Sequence, residues 1–289
     1  MSTRSKRLIL AKGRSERVQR EPTRSWGSFG VEERVLCKTK GQSPYGFPKR
    51  LRKLRLLINY ISNEKKMVLE IITLNLDDVK KANKSKADRL EFCNNIEVGG
   101  LTPKMEDIIE VVNYSKLPVN VGVRFTYEDF FFSEEERKLQ IDTIAQIAKT
   151  KANGVVIGTL TKDFKVDEEF LQEVNKVRGN LDITFHRAFD LVEDKVEGMK
   201  ALERCNVTNV LTSGNNILEE SFEVLEQITS LKSSVKLLIG GGVRKEYLER
   251  CLQISDNIHI GTAARNNLKY EDGISFENVE YFKEMGEKF

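Results

Sequence analysis

A closed (β/α)8 barrel, the TIM-type α/β fold, is the class this 289-residue sequence predicts, and three observations carry it. From Met67 onward, short runs rich in Val, Ile and Leu alternate with longer amphipathic stretches. The short runs lack a period-2 alternation, which is how parallel strands covered on both faces read. Eight such runs fit into residues 67–289 with little inserted material, so closure is favoured over a doubly wound open sheet. That span holds one small barrel and is too short for two domains of ordinary size.

The elements follow in order. The first strand is expected over Val68–Thr73 and the second over Asp88–Cys93. Thr102-Pro103 reads as an N-cap followed by proline at the first helical position, leading into a helix over Lys104–Tyr114. The third strand is expected over Val119–Arg124. Ser133 before Glu134-Glu135-Glu136 caps a long helix to about Lys149, its three acids matched to the positive end of the helix dipole. Strands are then expected over Gly154–Gly158, Asp182–His186, Asn209–Thr212, Lys236–Gly240 and Asn257–Ile260. The intervening helices are expected over Asp167–Val177, Asp194–Cys205, Leu218–Leu231 and Lys245–Leu252, with a last one from Phe276 to about Met285.

Residues 1–66 are a different object. They carry 18 Lys+Arg against 5 Asp+Glu, a net of +13, and the remainder has a net of −10. The formal +3 of the whole chain hides this asymmetry. The segment is rich in Arg and Ser and is expected to be a largely disordered basic extension, with one amphipathic helix near residues 51–61. It reads equally as an extension without function or as a targeting segment, and an organellar location follows if it acts as a transit peptide. Nucleic acid is not an expected partner, because aromatics are not interleaved with the basic residues and no recognisable module is present. No apolar run approaches the roughly 20 residues that span a bilayer. Cys37, Cys93, Cys205 and Cys251 form no C-x-x-C pair and no zinc pattern, so a reduced, cytoplasmic protein is expected.

Chemistry in parallel α/β proteins gathers at the C-terminal strand ends. The most informative stretch is Thr184-Phe185-His186-Arg187-Ala188-Phe189-Asp190, where imidazole, guanidinium and carboxylate arrive within five positions of a strand end. His186 is the candidate acid/base. Arg124 and Arg187 are candidate anion clamps, and Asp190 and Glu91 complete the candidate catalytic set. Glu70, Glu91 and Arg124 also suit a buried ion-pair network that serves only the core, since buried charges are costly unless paired. Gly240-Gly241-Gly242-Val243 follows strand seven and Gly261-Thr262-Ala263-Ala264-Arg265 follows strand eight. In many barrels these two loops cradle a phosphate, so Gly241, Gly242, Gly261 and Thr262 form a candidate anion site, with Arg265 close by. Cys93 is the cysteine placed at a candidate site. A thiolate favours soft metals such as Cu(I), whereas a lone cysteine is more often a small buried apolar residue.

Five motifs then occur in order: Leu90-Glu91-Phe92-Cys93, Gly99-Gly100-Leu101-Thr102-Pro103, the heptapeptide around His186, Leu211-Thr212-Ser213-Gly214, and Gly240-Gly241-Gly242-Val243. Together they resemble the CutC family of copper homeostasis proteins, from about Met67 to His259 and its flank. The resemblance implies a (β/α)8 barrel, a cytoplasmic location and copper handling. There are departures. The family's Arg-Pro-Arg-Gly-Gly-Asp-Phe run is here Arg124-Phe125-Thr126-Tyr127-Glu128-Asp129-Phe130, which loses a cation and two glycines. Many members carry Cys in strand one where this chain has Ile72, and Glu where it has Val98. Cu(I) binding is therefore expected to be weak, through Cys93 with a neighbour or across a homo-oligomer. Two readings stand: a copper-binding homeostasis protein, and an enzyme acting on a small phosphorylated or anionic metabolite.

Overall fold

The structure, a computed structural model, describes residues 67–289. The expected disorder of residues 1–66 and the helix near 51–61 lie outside the described residues. The eight strands are β1 (Val68–Thr73), β2 (Arg89–Phe92), β3 (Val119–Gly122), β4 (Gly154–Ile157), β5 (Asp182–Phe185), β6 (Asn209–Thr212), β7 (Lys236–Ile239) and β8 (Asn257–Ile260). They run parallel in sequence order around a closed barrel, with β1 paired to both β2 and β8. The helices are α1 (Leu76–Ala82), α2 (Met105–Tyr114), α3 (Glu134–Ile147), α4 (Glu168–Val177), α5 (Lys195–Arg204), α6 (Phe222–Ser230), α7 (Lys245–Ile254) and α8 (Phe276–Lys288).

The core is apolar outside the barrel, and the interior mixes polar side chains with Ile72, Val156 and Leu211. Leu69 and Ile71 of β1 join the large hydrophobic cluster together with Phe92, Phe170, Phe185, Phe189 and Phe282, all buried. Burying each such ring contributes roughly 1.5–3 kcal/mol. The alternate position, Glu70, bonds instead to Asn120 of β3, a strand not adjacent to its own, so the two side chains meet across the interior. A second interior pair joins Asn209 to Thr184 at 3.2 Å.

Several ends differ from expectation, each for a local reason. Ser133 does cap α3, in a full capping box with Glu136. Thr102 does not cap α2: Lys104 holds that position without a side-chain bond. The Thr102 hydroxyl instead accepts the Arg124 N–H at 2.7 Å and donates to the Arg124 carbonyl, tying the loop after β2 to the end of β3. The stretch 218–231 divides into a short 3-10 turn, Leu218–Glu220, and α6. The helix α1 has no counterpart in the expected set. It is only seven residues long, too short for a clear 3.6 period, and Asn75 caps it by accepting the Asp78 N–H. Cys93, Arg124, His186 and Gly240 all lie just beyond their strands rather than in them, which places them on the barrel mouth.

Candidate functional site

A cavity of about 450 Å³ opens at the C-terminal ends of the strands. Most of the expected residues line it: Glu91, Cys93, Arg124, His186, Arg187, Gly241, Gly242, Gly261 and Thr262. Asp190 does not. It is buried beneath Arg187, where its carboxylate accepts from Arg187 Nε at 2.8 Å, Ser213 N at 3.1 Å and Ser213 Oγ at 2.8 Å, and also from Thr212 Oγ1. With those bonds made, Asp190 positions Arg187 and does not face a ligand.

Arg187 spans the mouth toward the loop after β7. Its Nη2 reaches Ser213 Oγ at 3.2 Å and the Asn216 carbonyl at 3.3 Å. Gly241 lies under it: a Cβ there would come within 2.6 Å of Arg187 Nε, and its φ of +78° belongs to glycine. Among the described residues, the N–H groups of Gly241 and Gly242 donate to no protein acceptor. Arg265 is not available to this loop pair. It is 1% exposed and forks onto Asp78, with both nitrogen–oxygen distances 2.8 Å.

His186 caps the 3-10 turn Arg187–Leu191, its Nδ1 accepting the Ala188 N–H at 3.1 Å. The proton of the neutral ring therefore sits on Nε2, which is sealed from solvent and has no partner. Burial, with the nearby Arg124 charge, lowers the imidazole to about 3. At neutral pH His186 is thus a neutral hydrogen-bond donor through Nε2. Arg124 is 9% exposed; Nη2 donates to the Tyr127 carbonyl at 2.9 Å while Nε has no partner. No carboxylate among the described residues pairs with it. Burial lowers its pKa, partly countered by Asp129. Phe130 covers both groups, its ring 5.0 Å from the His186 ring and 4.6 Å from the Arg124 guanidinium carbon.

Glu91 and His259 also line the cavity, and Glu70 lies buried behind them. Glu70 is fully buried and bonds to Arg89, to Asn120 Nδ2 at 3.1 Å and to His259 Nδ1 at 2.9 Å. Burial alone would raise its carboxyl, but Arg89 and His259 outweigh that and hold it at about 2. Burial and Arg89 would lower His259, but the Glu70 hydrogen bond and the charges of Glu91 and Glu70 outweigh them and raise it. Glu91 lies 3.6 Å from His259 Nδ1 without a hydrogen bond, and burial beside Glu70 raises it to about 7. The ion-pair network expected for Glu70, Glu91 and Arg124 therefore forms with Arg89 and His259 in place of Arg124.

Glu70, Glu91 and His259 are also the group among the described residues whose ligand atoms lie close enough to hold one cation. Cys93 is not in that group. Its thiol is 2% exposed, packs against Gly100 and Gly122, and is pushed well above its ordinary value by burial and by Glu91. Arg89 and Tyr270 are site residues that the sequence reading missed. Arg89 opens a strand, and Tyr270 sits in an irregular loop where no periodicity marks it. The Tyr270 hydroxyl packs on Gly261, and burial raises it to about 12.

Comparison with known proteins agrees with the motif order. The CutC family model matches residues 67–263. The human copper homeostasis protein cutC homolog is 30% identical over 214 residues, 73% of this chain and 77% of its own length. A CutC family protein from Pasteurella multocida is 33% identical over 182 residues, 62% of this chain and 75% of its own. A CutC crystal structure from Streptococcus agalactiae superposes with a TM-score of 0.64 at 24% identity, covering 68% of this chain and 98% of its own. At 14% identity, thiamine phosphate pyrophosphorylase from Pyrococcus furiosus shares the fold alone, with a TM-score of 0.52 over 77% of this chain and 96% of its own. The chain belongs to the CutC family.

Proposed function

We propose that the protein acts in copper homeostasis, as the name of its human relative says, and that it takes Cu(I) as cargo at Cys93. The observation that carries this reading is that Cys93 is the one sulfur among the described residues lining the cavity. A soft thiolate is the ligand Cu(I) prefers. The fit is limited in two ways. Ile72 stands where a second thiol would be needed, and burial keeps the Cys93 thiol protonated near neutral pH. Copper must then displace a proton, so binding is weak, about one ion per chain, and tightens about tenfold per pH unit as pH rises. Cys93, Cys205 and Cys251 are free and buried, which supports a reducing, cytoplasmic setting. No described helix is long and apolar enough to cross a membrane. Titration of the reduced protein with Cu(I) against a competing chelator tests the proposal. Cys93→Ser should lose the site, and equal affinity in both proteins would refute Cys93 as the ligand.

A second reading has its own observation. The buried Arg124 guanidinium lacks a carboxylate and keeps Nε unpartnered, and the loop after β7, which lines the same cavity, has free Gly241 and Gly242 N–H groups. That arrangement suits a small anion such as a phosphate monoester. Calorimetric titration with inorganic phosphate tests it, and an absence of binding would remove it.

A further inference from the structure

The small-anion reading can be deepened, because the cavity offers two anion positions. Three guanidiniums, Arg124, Arg187 and Arg244, line it against a single carboxylate, Glu91. Two of them hold fixed places beside different loops of the mouth. Arg187 follows β5 and lies over Gly241, in the loop after β7. Asp190 and Ser213 hold its Nε and Nη2, while Nη1 makes no bond among the described residues. The Arg187 side chain is 42% exposed, so that edge is open. Arg124 follows β3 and sits beside Gly99, in the loop after β2: a Cβ on Gly99 would stand 3.4 Å from Arg124 Nη1. Its Nη2 is committed to the Tyr127 carbonyl, and the Phe130 ring lies against the guanidinium. Nη1 has no partner among the described residues and, unlike Nε, is not sealed from solvent.

The two positions differ in chemistry. The rim at Gly241 and Gly242 offers free backbone N–H groups beside Arg187, at the place where barrels of this class hold phosphates. Arg187 is already balanced by Asp190. Arg124 is 9% exposed, and no carboxylate among the described residues pairs with it. A buried guanidinium without a counter-ion is costly, and its planar donors match the oxygens of a carboxylate. A simple monoester seated on the rim leaves that charge unanswered. We propose that the cavity binds a small phosphorylated carboxylic acid, its phosphate on the Gly241–Gly242 rim beside Arg187 and its carboxylate on Arg124 Nη1. This rests on the small-anion reading and adds a second anionic group to the ligand.

The test is calorimetry on the full chain with the phosphate monoesters of the two-, three- and four-carbon ω-hydroxy acids. Each is set beside the alkyl phosphate of the same chain length, with inorganic phosphate as reference. At least one acid ester should bind at least about tenfold more tightly than its alkyl partner, because its carboxylate gains a charge-assisted hydrogen bond at Arg124. Arg124→Met, which keeps an unbranched side chain and removes the cation, should erase that gain. If the variant fails to fold, a wild-type crystal soaked with the tightest ester decides. A carboxylate bonded to Arg124 Nη1 upholds the proposal, and a carboxylate placed elsewhere overturns it. No gain for any acid ester, with phosphate still bound, overturns the second anion position and leaves the anion reading intact. A gain that survives Arg124→Met overturns it as well. A protein that binds none of the probes loses both.

Discussion

Replacing His186 by Asn should remove an acid-sensitive part of the stability, and its size follows from the structure. The folded imidazole is held at about 3, against an ordinary value of 6.5. A group depressed on folding contributes stability above its unfolded pKa and loses it as pH falls toward the folded value. Between about pH 7.5 and about pH 4.5 the unfolded imidazole becomes protonated and the folded one does not, which costs about 3 kcal/mol. The wild-type curve alone cannot show this. Glu91 rises to about 7 on folding, so it gains stability over the same fall in pH and masks the loss. Glu70, held at about 2, takes effect only below its ordinary value of 4.5. The difference between wild type and His186→Asn cancels those contributions. Asn is the suitable replacement because its side-chain oxygen can still accept the Ala188 N–H at the turn cap. Urea unfolding of both proteins across that pH range is the assay. The variant should become more stable relative to wild type by about 3 kcal/mol on acidification. A change below about 1 kcal/mol would mean that His186 is not held neutral by its surroundings.

Other consequences are equally specific. Asp78→Ala leaves the buried Arg265 fork unpaired and should cost about 3–5 kcal/mol in urea unfolding. Asp77→Ala, one residue away on the exposed face of α1, should leave the midpoint unmoved. Gly241→Val forces a side chain into a left-handed φ of +78° under Arg187, at a cost of about 1–3 kcal/mol. It should abolish calorimetric phosphate binding while the barrel stays folded, and unchanged binding would exclude that loop as the anion site. The affinity for Cu(I) should climb with pH through the neutral range, and a flat profile would mean that the copper ligand is not a protonated thiol.

The barrel was legible because each buried parallel strand announces itself as a short apolar run, and because the strand ends carry polar residues that break those runs. His186, Arg187 and Arg124 were found by that break alone. What stayed hidden depends on closure. Glu70 and His259 lie 189 positions apart and meet only because β8 pairs with β1. Arg89 sits directly across from Glu70 in the β1–β2 register, a pairing that a single strand does not reveal. The role of His186 also required coordinates. A strand-end histidine reads as an acid/base, yet burial, with Arg124 beside it, keeps the ring neutral, and the Ala188 N–H leaves the proton on Nε2. Arg265 looked like part of an anion site because it follows the glycine loop, and the short helix that neutralises it through Asp78 gave no periodic signal.

Copper content most directly tests the assignment of Cys93. The reduced full chain, equilibrated anaerobically with excess Cu(I), should carry up to about one copper per chain by native mass spectrometry, as one soft ligand allows, and Cys93→Ser should carry none. Copper bound at the same stoichiometry by the serine variant, or not bound by the wild-type protein, would contradict Cu(I) binding at Cys93.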